Sequence, residues 1–338
     1  MFRKDQRKPA RSADDTPLLM VLVDTEEEFD WSRPLARKNT GVTAMRAQHR
    51  AHRIFEKYGI TPIYVADYPV VSTDDGALPL KELFDDGKCL IGAHLHPWVN
   101  PPFDEPVCNY NSYPGNLPAA LERQKLTVLT EAIAERFGEK PVVYKAGRYG
   151  AGFNTTGTLE ALGYRIDTSV LSHTDLRAEE GPDFSACGAA PYWFGTDHQL
   201  LEIPMSVGFA GLLRGAGADL YHRLNGARGL KFHIPGIFAR LGLLERITLT
   251  PEGITPQEHR RLTGAMLADG HRVFSFTYHS PSLAPGNTPY VTSERDLAAF
   301  LDRFERYFDY FMGELGGRPA TPLEIREAVL PATTGEPD

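Results

Sequence analysis

Two hydrophobic periods take turns along this chain. The run LLMVLV at 18–23 is continuously apolar, as a strand covered on both faces requires, and it ends in the acids of DTEEEFD. Over 42–58 the positions Val42, Met45, His49, His52, Phe55 and Tyr58 recur at roughly helical spacing and stop before Gly59, where a left-handed residue is readily tolerated. A short apolar run, TPIYVAD (61–67), a helix near LPLKELFDDG and a third run, CLIGAHLH (89–96), follow. Strand, helix, strand, helix, strand is the order of parallel crossover units.

The alternation continues. Leu121, Lys125, Leu129, Ile133 and Phe137 share one face of a predicted helix over 118–137, with Gly138 behind it. PVVYKAG (141–147), YRIDTSV (164–170) and LLEIP (200–204) read as strands, with a short helix over 155–162 between the first two. Residues 209–254 are Gly-rich with no clean period and read as an insertion of loop plus helix. Thr255 and Glu258 then form a capping box around Pro256, and RVFSFTYH (272–279) is a seventh strand. Ser293 and Asp296 open a last helix whose stripe of Leu297, Phe300, Leu301, Phe304, Phe308 and Phe311 demands burial. Seven strands alternating with helices, and no boundary-type linker, predict one α/β barrel of parallel strands over 17–320. A disordered segment (1–16) precedes it and a tail (321–338) follows.

Composition narrows the partners. Acidic residues outnumber basic ones, 44 to 36, for a formal charge of −8, so no global positive field exists to hold nucleic acid. The start, MFRKDQRKPARSADDTP, lacks an apolar signal core, and no apolar run reaches membrane-spanning length, so neither a secretion signal nor a membrane span is expected. Cys89, Cys108 and Cys187 fit neither a disulfide framework nor a zinc ribbon, which points to a reducing cytoplasm. An oligomer is compatible with the sequence.

In parallel barrels the chemistry sits at the carboxyl ends of the strands. Asp24 and Glu26 end the first strand, His94 and His96 the third, and His279 the seventh; Arg148 follows the fourth and Asp167 lies on the fifth. Residues two apart on a strand point the same way, so His94 and His96 can aim at one point, as can Asp24 and Glu26. Two imidazoles and a carboxylate form the usual shell of a catalytic zinc or similar divalent ion. The plainer alternative makes one histidine structural and DTEEEFD a solvated loop; Glu27, Glu28 and Asp30 are read as surface charge. Taken alone, His279 would be a core histidine, Arg148 a partner for a surface acid and Asp167 a strand-end cap. The glycines around Arg148 suggest instead a close-approach loop where its guanidinium fixes a carboxylate. Trp98 suits stacking on a sugar face, with Tyr149 and Tyr278 as further substrate contacts. His49, His52, His222, His233, His259 and His271 have no visible partner and read as structural or exposed.

The ordered motifs resemble the polysaccharide deacetylase family, carbohydrate esterase family 4 with its NodB-type homology domain, over about residues 18–312. The resemblance implies a distorted (β/α)7 barrel and metal-dependent hydrolysis of N- or O-acetyl groups. It implies Asp24 of VDTEE as general base, Glu26 with His94 and His96 of GAHLHPW as metal ligands, and Arg148 of GRYGAG as the group that orients the base. Asp167 of IDTSV matches the fourth motif, and His279 of TYHSP the general acid. Two features depart from the family pattern: Asp-Thr-Glu replaces adjacent acids, and the histidines stand two apart rather than four, with Trp98 where the second would be. The expected activity is removal of acetyl groups from an acetylated sugar or polysaccharide precursor, with a divalent metal, zinc by preference. Asp24 and Glu26 could exchange roles. The alternatives are hydrolysis of a non-sugar C–N bond, such as a cyclic amide or ureide, and a catalytically idle carbohydrate-binding homologue.

Overall fold

Seven parallel strands carry the molecule: β1 (Leu18–Thr25), β2 (Ile63–Ala66), β3 (Leu90–Leu95), β4 (Val143–Ala146), β5 (Ile166–Asp167), β6 (Leu200–Glu202) and β7 (Val273–His279). They lie in the order β7-β1-β2-β3-β4-β5-β6 in one curled sheet. This computed structural model describes residues 7–12, 15–225 and 231–331 apart from 232. The mixed α/β architecture is the expected barrel of parallel strands, open on one side.

The opening lies between β6 and β7, which do not pair among the described residues. Hydroxyl groups stitch it instead. The Ser206 N–H donates to Ser275 Oγ and the Ser275 N–H to Ser206 Oγ, each at 2.8 Å. Backbone donors that a neighbouring strand would have taken are thereby satisfied, as burial demands. Beyond β6 the sheet continues antiparallel through Tyr192–Phe194, Lys8–Ser12 and Val329–Pro331. The segments expected as a disordered start and a tail thus contribute edge strands. A helix over Pro322–Ala328 also forms there, opened by a Thr321–Glu324 capping box. Residues 1–6, 13, 14 and 332–338 of those segments lie outside the described residues.

Helices α1 (His49–Lys57), α2 (Asp74–Asp85), α3 (Ala119–Phe137), α4 (Thr155–Leu162), α5 (Pro256–Ala268) and α6 (Glu294–Phe308) cover the sheet. Gly59 adopts φ 63°, the left-handed terminator its position predicted. Thr255 and Glu258 make both halves of their capping box, and Ser293 caps α6. The α6 stripe packs Phe300, Phe304 and Phe308 against Phe276 and Tyr278 of β7. Each fully buried aromatic contributes about 1.5–3 kcal/mol.

Residues 209–254, expected as loop plus helix, contain a hairpin that sequence did not reveal. Val207–Ala210 pairs antiparallel with Glu245–Thr248, and helices Gly217–Leu224 and Ile234–Arg240 lie between. Gly and Leu dominate this stretch and mask the two-residue period of such short strands.

Strand parity positions the site. In β1 Leu19, Val21 and Val23 face the helices, whereas Leu18, Met20 and Leu22 fill the barrel interior. The next interior position is Asp24, whose register partner on β7 is His279. Gly92 and His94 share parity on β3, as Val143 and Lys145 do on β4. Polar groups therefore crown the apolar interior column.

Candidate active site

Four strand ends bring Asp24, Glu26, His94, His96, Lys145 and His279 to the wall of one cavity of about 660 Å³. Glu26, His94 and His96 place their ligand atoms within 4.8 Å of one another. His94 Nε2 and His96 Nε2 each lie 3.5 Å from Glu26 Oε2. Donors held about 2.0–2.2 Å from one shared ion stand roughly this far apart. The second oxygen, Glu26 Oε1, is buried with no hydrogen-bond partner.

The outer ring nitrogens fix the tautomers. His94 Nδ1 lies 3.0 Å from the Lys145 carbonyl, which can only accept, so Nδ1 carries the proton and Nε2 a free lone pair. His96 Nδ1 likewise donates to Glu27 Oε2 at 2.8 Å, the carboxylate–histidine arrangement that orients metal ligands. Trp98 Nε1–H donates to the other Glu27 oxygen at 2.7 Å, and the Glu27 N–H donates to Asp67 Oδ2 at 2.7 Å. Burial pushes the His94 and His96 imidazoles down, His96 to about 4, so both stay neutral near pH 7. The donor set therefore fits a divalent ion: two neutral imidazoles with aimed lone pairs, a carboxylate with an orphaned oxygen, and a hydrogen-bonded shell behind them.

A second carboxylate stands ready beside this set. Lys145 Nζ donates to Asp24 Oδ1 and Oδ2 at 2.7 and 2.6 Å. Burial alone would raise the Asp24 carboxyl, but Lys145, then His94 and His279, hold it below its ordinary range. His279 Nε2 lies 3.6 Å from Asp24 Oδ2, while its Nδ1 donates to Glu252 Oε2 at 2.7 Å. Glu252 also accepts from the His279 N–H and from the Ser282 hydroxyl. Burial pulls the His279 imidazole down, but the Glu252, Glu26 and Asp24 carboxylates outweigh it and bring it up to about 10. The arrangement can therefore hold an anionic base and a cationic acid on either side of a ligand triad.

No family model matches the chain, and no curated protein matches it in sequence. Solved structures do match. A provisionally named polysaccharide deacetylase from Mycobacterium smegmatis aligns with 98% of this chain and 98% of its own, at TM-score 0.55 and 18% identity. The chain has the polysaccharide deacetylase fold. PuuE allantoinase aligns with 94% of this chain and 91% of its own, at TM-score 0.51 and 14% identity.

Within this deacetylase fold, several expected roles fall to other residues. Arg148 does not touch Asp24: its guanidinium donates to Asn109 Oδ1 and Ser112 Oγ, pairs with Glu179 at 3.2 Å and lies over the Tyr113 ring. Lys145, three residues earlier, is the cation that holds Asp24. Gly147 serves close approach, but to His96, since a Cβ there would stand 2.4 Å from its ring. Arg148 and Tyr149 both sit at positive φ (54° and 58°), a strained pair that sends Arg148 outward and lays Tyr149 under Lys145 at 4.8 Å. Both still line the cavity.

Asp167 sits one residue out of phase with the interior column. Its register partner is Tyr144, and it bonds Ser169, whose hydroxyl receives the Ala146 N–H, so it braces β4 against the turn after β5. Tyr278 is out of phase for the same reason and belongs to the aromatic core beneath α6. Trp98, expected as a sugar platform, borders the cavity but is 2% exposed and stacks on His96 with centroids 4.2 Å apart. Glu27, read as surface charge, is fully buried, and burial pushes its carboxyl up to about 7. Glu28 caps the turn at Thr43–Ala44. His52 and His259 are buried in structural roles, facing Tyr64 Oη and the Thr250 carbonyl.

Replacing Glu252 with glutamine should move the alkaline limb of the pH–rate profile to lower pH by one unit or more. The carboxylate favours the protonated imidazole, so without it His279 loses its proton earlier; one unit is about 1.4 kcal/mol. The pH dependence of kcat/KM reads the shift, and an unmoved limb would mean that His279 is not the titrating acid.

Proposed function

We propose that this protein is a metal-dependent hydrolase that removes an acetyl group from an N- or O-acetylated sugar or related small substrate. The observation that carries the proposal is the convergence of the His94 and His96 lone pairs on Glu26 between two oppositely charged pairs, Asp24–Lys145 and His279–Glu252. His94, His96 and Glu26 would hold the ion, and zinc suits that donor set. Bound there, a divalent ion supplies polarisation of the scissile carbonyl and a more acidic water. Asp24, kept ionised by Lys145, accepts a proton from the attacking water. His279 gives its proton to the leaving amine or alkoxide as the C–N or C–O bond breaks, and Glu252 stabilises the cation beforehand. Phe29, Trp31, Tyr113, Tyr149 and Tyr290 wall the cavity and restrict water around the reacting groups.

A second reading, ring opening of a cyclic amide or ureide, is favoured by the same walls. A cavity of about 660 Å³ lined by aromatic rings is large enough to take a compact molecule whole. Metal analysis of the purified protein, followed by acetate release from N-acetyl sugars alongside ring-opening assays on cyclic ureides, decides among the readings. Metal with acetate release supports deacetylation, metal with ring opening supports the second, and a protein that binds no divalent ion overturns both in favour of an idle homologue.

A further inference from the structure

The hairpin insertion between β6 and β7 is unlike the rest of the molecule. Of the formal charge of −8, residues 211–244 contribute +4, from Arg214, Arg223, Arg228, Lys231 and Arg240 against Asp219. The remainder of the chain therefore carries −12. The apolar residues of this insertion are also turned the wrong way for a water-soluble surface. Helix Ile234–Arg240 buries none of its residues, although most are apolar, and helix Gly217–Leu224 buries only Gly217. Ile234, Ile237, Phe238 and Leu241 recur at i, i+3, i+4 and i+7, a stripe that in a globular protein faces the core. Here Ile237 is 47% and Leu241 65% exposed.

The stripe continues across the fold. The Leu212 N–H donates to the Gly242 carbonyl and the Leu213 N–H to Leu243, so Leu212, 84% exposed, lies beside the end of that helix. One apolar tip, built from two chain segments, thus faces solvent, and Arg223, Lys231 and Arg240 of the same insertion are exposed too. Contiguous exposed apolar surface marks an interaction site. Its cationic setting selects the partner: apolar side chains entering an interface, with Lys and Arg beside them, is the chemistry of a peripheral helix on an anionic bilayer.

We propose that the 211–244 insertion docks this protein onto anionic lipid surfaces, with Leu212, Ile237 and Leu241 entering the headgroup boundary and Arg223, Lys231 and Arg240 pairing with lipid phosphates. The acidic remainder of the chain is repelled by the same surface, which leaves the insertion as the part that faces it. The base of the insertion meets the wall of the candidate active site: Arg246 bonds Thr174 and approaches the Ser172 carbonyl, in the loop whose Leu171 and Leu176 line the cavity. A docked insertion therefore holds the cavity close to the lipid surface.

The test is cosedimentation of the whole protein with vesicles of phosphatidylcholine alone and with about one third phosphatidylglycerol, at low and high salt. Binding to the anionic vesicles is expected, reduced by salt and absent from the neutral ones. The pair I237S/L241S should lose binding about tenfold or more, and R223E/K231E/R240E by at least as much. These side chains are exposed, and unchanged thermal unfolding verifies that the variants fold. Equal binding to neutral vesicles would overturn the proposal, as would anionic binding that both variants retain. So would a wild-type dimer that I237S/L241S converts to monomer with no vesicle bound, which would assign the tip to a second copy of the chain. None of these readouts depends on hydrolytic activity, so the docking can fail while the hydrolase reading stands, and the reverse.

Discussion

Replacing Lys145 with methionine is expected to lower kcat/KM by about two to four orders of magnitude, the share a positioned general base supplies. Lys145 Nζ is the group that meets both Asp24 oxygens, and both residues are almost fully buried. Without the ammonium, Asp24 is a buried carboxylate with its main counter-charge gone. Its pKa must rise, so the acidic limb of the pH–rate profile moves to higher pH. Removing one partner of a buried pair also destabilises the fold by about 3–5 kcal/mol, measurable by denaturant unfolding. The variant separates two functions, because His94 is oriented by the Lys145 main-chain carbonyl, which methionine keeps. Metal content should therefore survive while activity falls. An unchanged acidic limb would show that the titrating base is not Asp24.

The second large effect is expected at His96. Alanine there removes one of the three proposed ligands and empties the space between Glu26 and Trp98. A catalytic-type divalent site left with two protein ligands should retain less than about a tenth of its metal after dialysis, beyond the 10–100-fold typical of losing only a supporting hydrogen bond. Glu27 at the same time loses the imidazole donor and keeps the Trp98 donor in a buried place. Trp98, no longer stacked, should change its emission, which reports the local change independently of the metal. His94→Ala should behave alike for metal but leave the Trp98 signal in place. Full metal content in both variants would dismiss the ligand assignment.

The parts of this architecture that sequence revealed are those with a strong local signal. All seven strands were legible because strands buried on both faces are continuously apolar, and the capping boxes and glycine stops marked the helices between them. His94 and His96 were legible from their spacing at the end of such a run. Asp167 and Tyr278 misled because strand ends alone do not give phase; the interior column, which takes Ile166 on β5 and runs from Val273 to His279 on β7, excludes both. That count was open to a sequence reader, and so was Lys145, a charged residue inside the apolar run VVYKA. Glu27 was hidden by its company, since a row of acids reads as solvated. Glu252 gave no signal at all, because it lies at the end of an aperiodic insertion and reaches His279 only through the three-dimensional path of the chain.

The seam between β6 and β7 bears on how such a molecule can change. Everywhere else along the parallel sheet, each strand shares a backbone ladder with the next. At Ser206 and Ser275 the wall is closed by two side-chain hydroxyls. Extra chain can enter there without shifting the register of any neighbour, and this is where the cationic insertion sits. The unlaced edge is thus the natural port through which a barrel of this kind acquires new attachments while its reactive centre stays as it was.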